Sequence, residues 1–172
     1  MGGPGDFTAF VIAAEPDLLA TAFLLTGSRP LATGAVETAL VSVHRRWRRL
    51  GDPAAEARRS LVTGVLHGLG ATQLVESVEV EVSAVDRSWL TALGALPVRT
   101  RAAVVLRLHD GLDDATIAQL LDCDAAAVAG LVEAGVRTLA ALLPAEPAAE
   151  PAAEPPPPAA DEDGYAIYRR PQ

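Results

Sequence analysis

The chain has 172 residues, half of them apolar and 21% charged, with a formal charge of −8. Such a chain is globular and makes one ordinary domain or two small ones. Its net acidity opposes nonspecific attraction to nucleic acid, because phosphate binding runs on cations that displace counterions.

Ala, Leu and Arg dominate, and aromatics are 4% of the chain, so the residue choice favours helices over strands. The expected fold is all-α. From the N-terminus, helices are predicted near Phe7–Ala14, Pro16–Thr26, Pro30–Arg49 and Pro53–Leu69, with Gly27 and Gly51 as stops. The apolar run before Thr26 is cut by Glu15, Pro16 and Asp17, which argues against an uninterrupted membrane span and against a signal peptide. Asp52 before Pro53 is a strong helix start. On the third helix Val36, Leu40, Val43, Trp47 and Leu50 share a stripe at a period of 3.6, and Arg45, Arg48 and Arg49 point the other way.

Residues 1–70 are near neutral at +1 and form the first expected domain. Residues 71–85 carry three Glu and no Arg; their VESVEVEV alternates like a strand but has no partner strand, so an acidic linker is expected. Residues 86–143 form the second domain, at −2. Asp86 starts a helix carrying Trp89, Leu90, Leu93 and Leu96, Pro97 ends it, and a second helix to His109 presents Val104, Val105 and Leu108. Asp113 or Asp114 then caps a helix to Leu121, Cys123 and Asp124 make a turn, and Asp124 caps a last helix from Ala125. That order reads as a helix-turn-helix. Residues 144–172 repeat Pro-Ala-Ala-Glu, run through four prolines and end in DEDGYAIYRRPQ. A disordered, extended tail is expected there, able to carry a short tethered peptide.

The chemistry of the last helix does not suit duplex DNA. Val128, Val132, Leu139 and Leu142 mark its inward stripe, leaving Ala126, Ala129, Gly130, Glu133, Arg137 and Ala140 outside. One Arg among small residues and a Glu cannot make the Arg-to-guanine forks that specify sequence. Candidate nucleic-acid or protein-partner contacts are therefore Arg45, Arg48, Arg49, Arg58 and Arg59. Single Cys123 excludes an internal disulfide, and His44, His67 and His109 lack zinc-ligand spacing. No metal, cofactor, small-molecule ligand or catalytic site is expected, and a reducing cytoplasm is the simplest location.

The segments PDLLATAFLLTGSRPLA, VHRRWRRLGDPAAEARRSLV, WLTALGALP and VVLRLHDGLDDATIAQLLDCDAAAV, in that order over residues 7–143, resemble the extracytoplasmic-function sigma factors of the sigma-70 family. The resemblance implies a region 2-like helical domain, which in the family grips RNA polymerase core and the melted promoter. It also implies a region 4-like helix-turn-helix, which reads the upstream element. At the family's clamp-contact position this chain has Gly34, Ala35, Val36 and Glu37; where the family carries Trp and Arg it has Gly68, Leu69, Gly70 and Ala71. Where the family's recognition helix typically carries Lys or Arg, this chain has Ala129, Leu131 and Ala134, with Glu133 among them. The implied partners are RNA polymerase core or an anti-sigma-like protein, with promoter DNA a weak ligand. The alternative is a degenerate sigma paralogue that no longer reads promoters and regulates through protein contacts.

Overall fold

The computed structural model describes residues 4–69 and 84–143. Within each of these two runs the residues form α-helices joined by short turns, with no strand among the described residues. The helices are α1 (Pro4–Thr26), α2 (Arg29–Arg46), α3 (Pro53–Leu69), α4 (Ala84–Ala95), α5 (Val98–Leu108), α6 (Asp114–Leu121) and α7 (Ala125–Leu142), with a 3₁₀ turn, Trp47–Arg49, after α2. The acidic stretch and the Pro-rich C-terminus lie outside the described residues.

α1, α2 and α3 pack on one another, and α5 packs on α6 and α7. Several elements stop where their residues require it. Gly27 takes φ +66 and its N–H donates to the Phe23 carbonyl at 2.7 Å, ending α1. Asp52 accepts from the Ala55 N–H at 2.9 Å and starts α3.

Pro16 does not end a helix, contrary to the sequence expectation: α1 runs through it as one element. Pro16 removes the donor for the Ile12 carbonyl, but Pro16 is exposed and Ile12 is 70% exposed, so that carbonyl faces water. A break on the solvent side leaves no buried polar group unmet. Consequently Asp6–Thr26, like Ala125–Leu142, is long and apolar enough to cross a membrane by length and composition alone. Both helices bury core side chains here, Leu18, Ala22 and Leu25 from α1 and Val128 and Leu139 from α7.

α5 is the central helix. Every residue from Thr100 to Leu106 is buried, with α1 and α3 on one side and α6 and α7 on others. One of those buried residues is Arg101, 5% exposed. Its Nε donates to the Leu93 carbonyl at 2.7 Å, and its Nη2 donates to Gly94 at 2.9 Å and Leu96 at 3.0 Å. Its Nη1 donates to the Leu25 carbonyl of α1 at 2.8 Å. The guanidinium thus sits at the carbonyl ends of α1 and α4, where helix dipoles favour a cation. Burial pulls its pKa below that of a free guanidinium, and the carbonyl fork holds the charge in place.

α7 reaches α5 through Gly135, which is buried. A Cβ at that position would lie 2.4 Å from Val104 Cγ2 and 3.1 Å from Thr100 Cγ2. Both neighbours are β-branched and buried on α5, so they cannot turn aside cheaply.

Some apolar residues expected inside are outside. Trp89 is 48% exposed, Leu108 64% and Leu142 50%. Leu108 and Leu142 are the last residues of α5 and α7, whereas Trp89 lies in the middle of α4.

Replacing Arg101 by Met strips donors from four carbonyls. Urea unfolding should show a loss of on the order of 3–5 kcal/mol; a loss below about 1 kcal/mol would mean that the carbonyl cage contributes little. A paired test separates the two glycines of α7. Gly135→Ala should destabilise by about 1–3 kcal/mol. Gly130→Ala, where nothing lies within 4 Å, should stabilise by about 0.5–1 kcal/mol.

Candidate functional site

The α6–α7 corner is built by acids and by arginines of α5. Asp113 Oδ1 accepts from the Thr116 N–H at 2.7 Å and caps α6. That hydrogen bond holds the Asp113 carboxyl below the usual carboxylate range. Asp122 ends α6 in the left-handed region at φ 50. Its carbonyl accepts from Arg99 Nη2 at 3.4 Å, and the same nitrogen also donates to the Leu121 carbonyl. Arg107 Nη1 donates to the Leu112 carbonyl at 3.0 Å and pairs with Asp114 at 3.3 Å. Asp124 stands at the N-cap position of α7, but its side chain makes no capping hydrogen bond.

On α7, Ala126, Ala129, Gly130, Glu133, Arg137 and Ala140 are all exposed. Arg137 pairs with Glu133 at 2.6 Å, so the one cation of this face is matched by a carboxylate one turn away. Leu131 and Val132 are half-buried against the core. Leu131, counted above among positions where a recognition helix carries a cation, therefore belongs to packing.

The five candidate arginines do not form one patch. Arg45, Arg48 and Arg49 are exposed at the end of α2 and in the 3₁₀ turn, without an ion pair among the described residues. Arg59 pairs with Glu56 at 3.7 Å, and Glu56 also receives Arg46. Arg58 turns the other way, its Nε lying 3.8 Å from Asp110 Oδ2 at the end of α5. Beside the basic turn, Phe7, Phe10, His44 and Trp47 form a ring cluster: Phe7 meets His44 at 4.7 Å and Trp47 at 5.1 Å, and Phe10 meets Trp47 at 5.2 Å. Trp47 Nε1 is buried without an acceptor.

Val36 is buried and Gly34 and Glu37 exposed on α2, so Val36 serves the core. Gly68 and Leu69 are the last two residues of α3, and Gly70 and Ala71 lie outside the described residues. Cys123 is a free, half-buried thiol in the α6–α7 turn. Among the described residues no group of three His, Cys, Asp or Glu could hold a metal ion.

Asp110 carries a role that the sequence did not announce. Its side chain is 8% exposed. Oδ1 accepts from Thr21 Oγ1 of α1 at 2.7 Å, while Oδ2 is buried with no hydrogen-bond donor. A cleft of about 510 Å³ opens beside it, between α1, α3 and the end of α5, with Asp17, Arg58 and His109 among its lining residues.

No family model matches the chain, and no curated protein matches its sequence. In fold it is similar to the sigma factor RpoE of Bartonella quintana, solved in complex with the anti-sigma factor NepR: TM-score 0.63, 18% identity, over 80% of this chain and 96% of that one. It is also similar to the anti-anti-sigma factor PhyR of Bartonella quintana, likewise solved with NepR: TM-score 0.58, 14% identity, over 79% of this chain. The match spans half of the PhyR chain. At these identities the likeness is one of fold, and the fold is sigma-like.

The Asp113 cap has a pH signature. Its carboxyl is depressed in the folded chain, so its stabilisation is present above the ordinary carboxylate value of about 3.9 and is lost as pH falls through the lower folded-state value. The stability difference between the parent and Asp113→Ala should be full at neutral pH and shrink on acidification below about pH 4. A difference that stays constant through that range would contradict the cap.

Proposed function

We propose that the chain is a sigma-factor-like protein of bacterial transcription initiation that works through protein contacts, with RNA polymerase core or an anti-sigma-like protein as partner and promoter DNA as a weak ligand. Residues 1–70 act as the region 2-like part and residues 86–143 as the region 4-like part, α6 and α7 being its helix-turn-helix. Two independent supports converge on the protein-contact reading. Both fold neighbours, although named for different roles, were solved with an anti-sigma factor. The outer face of α7 offers Ala126, Ala129 and Gly130 with a Glu133–Arg137 pair, which suits close packing against protein better than phosphate.

The observation that carries the reading is the charge of this corner. Asp113 and Asp114 stand at the start of α6, and Asp122 and Asp124 flank the turn into α7, so both helix starts carry acids where incoming phosphate would need cations. Arg99 and Arg107, which could have supplied them, are turned to carbonyls of the α5–α6 and α6–α7 turns. Arg45, Arg48 and Arg49 remain as the basic contact surface, suited to an acidic protein face or to backbone phosphate. The alternative, a paralogue that has given up promoters altogether, shares these supports and differs in lacking polymerase.

Tagged full-length protein purified from its native host distinguishes the two. Recovery of polymerase subunits supports a polymerase-binding sigma-like protein; their complete absence eliminates that reading and leaves the paralogue. The purified chain alone should bind duplex DNA no better than a nonspecific binder, in the range of about 10⁻⁴–10⁻⁶ M at physiological salt. Ala129→Lys, Glu133→Lys and Ala134→Arg together should tighten duplex binding by at least tenfold at low salt. No gain would mean that this face is not the one presented to DNA.

A further inference from the structure

The cleft between α1, α3 and the end of α5 has a lining that packing does not use up. Asp17 and Asp110 face it with Arg58 as the one fixed cation among the residues that line it. Arg58 does not satisfy Asp110: its Nε is 3.8 Å from Oδ2, beyond hydrogen-bond reach. Thr21 has already spent its hydroxyl on Oδ1, and His109 Nε2 stands 3.9 Å from that same oxygen. A carboxylate nine-tenths buried, with one oxygen lacking a donor, is a costly arrangement in a folded chain. The remaining wall is apolar, from Phe10, Ala13 and Leu18 of α1. A volume of about 510 Å³ lies within the usual range for small-ligand sites.

We propose that this cleft is a binding site for a monocation on an apolar stem, a guanidinium or ammonium group carried by a short aliphatic or aromatic body. The head answers the excess carboxylate of Asp17 and Asp110, and the stem lies on Phe10, Ala13 and Leu18. A guanidinium is the better fit, because it brings donors in a planar fork and no acceptor. Since the lining comes from α1, α3 and the end of α5, an occupant bridges these elements and stabilises the folded chain by mass action. The head can be a free cation or Arg169 or Arg170 of this chain's own C-terminal segment.

The test titrates butylguanidinium into the isotopically labelled full-length chain and follows backbone amide signals of residues 10–21 and 109–110. The expected result is a saturable shift with a midpoint that is roughly millimolar, weakened at least threefold in Asp17→Asn and abolished in Ala13→Trp. Asp17 and Ala13 are exposed, so neither variant threatens the fold. Uncharged butylurea, with the same stem, should give no saturable shift. In Arg169→Ala/Arg170→Ala the added probe should bind several-fold more tightly if the chain's own segment is the occupant, and equally well if the site serves a free cation; each supports the site. No saturation with butylguanidinium in either the parent or that double variant, equal binding of butylurea, or a midpoint unchanged in both Asp17→Asn and Ala13→Trp would overturn it.

Discussion

A single buried guanidinium fixes how the helices of this protein meet. Arg101 lies on the most buried helix and donates to carbonyls that end α4 and to one that ends α1. Removing an ion from water is expensive, and no carboxylate among the described residues pairs with it to offset that cost. What repays it is geometry: two helices bring the negative ends of their dipoles to one point, and Arg presents a rigid fork to carbonyls that would otherwise be unmet. Because the Leu25 carbonyl belongs to the first three-helix group and the others belong to α4 and its exit, the same side chain joins the two halves of the chain. Asp110, just beyond the end of α5, also reaches α1, accepting from Thr21 and facing Arg58.

The surface chemistry follows from this use of charge. Arg58, Arg99, Arg101 and Arg107 are drawn inward to carbonyls or to Asp110 and Asp114, so they are spent on holding helices in place. Arg45, Arg48 and Arg49 remain outside, and the α7 face is left with small side chains and an internally matched pair. A sigma-like fold thus presents a corner of acids and small residues. The likeness to RpoE and PhyR sets the architecture; residue chemistry decides what that architecture can hold.

Much of this was legible in residue order. Gly27, the Asp52–Pro53 step and Asp113 mark helix ends by local hydrogen bonding and backbone freedom, which need no knowledge of neighbours, and each stands where expected. The exposed face of α7 was equally readable, since a 3.6-residue period separates inside from outside on one helix. What local signals cannot give is which neighbour covers which turn. Trp89, Leu108 and Leu142 fit apolar stripes yet face water. Gly135 looked like any small residue until α5 was seen 2.4 Å from where its Cβ would be. Arg101 and Asp110, read along the chain, are ordinary helix charges; only the tertiary arrangement makes one a keystone and the other a partly unmet acceptor. Pro16 misled for the opposite reason, since a rule about lost hydrogen bonds has little force where the freed carbonyl is wet.

The account stands on the two helix groups behaving as one body through α5. Native-state hydrogen exchange of the full-length chain measures this directly, through the opening free energies of the slowest amides in α2 and α3 and of those in α5 and α7. A shared value, falling together when denaturant is added, is the predicted result. Two separate values, with one group opening fully while the other stays protected, would contradict the central role given to Arg101.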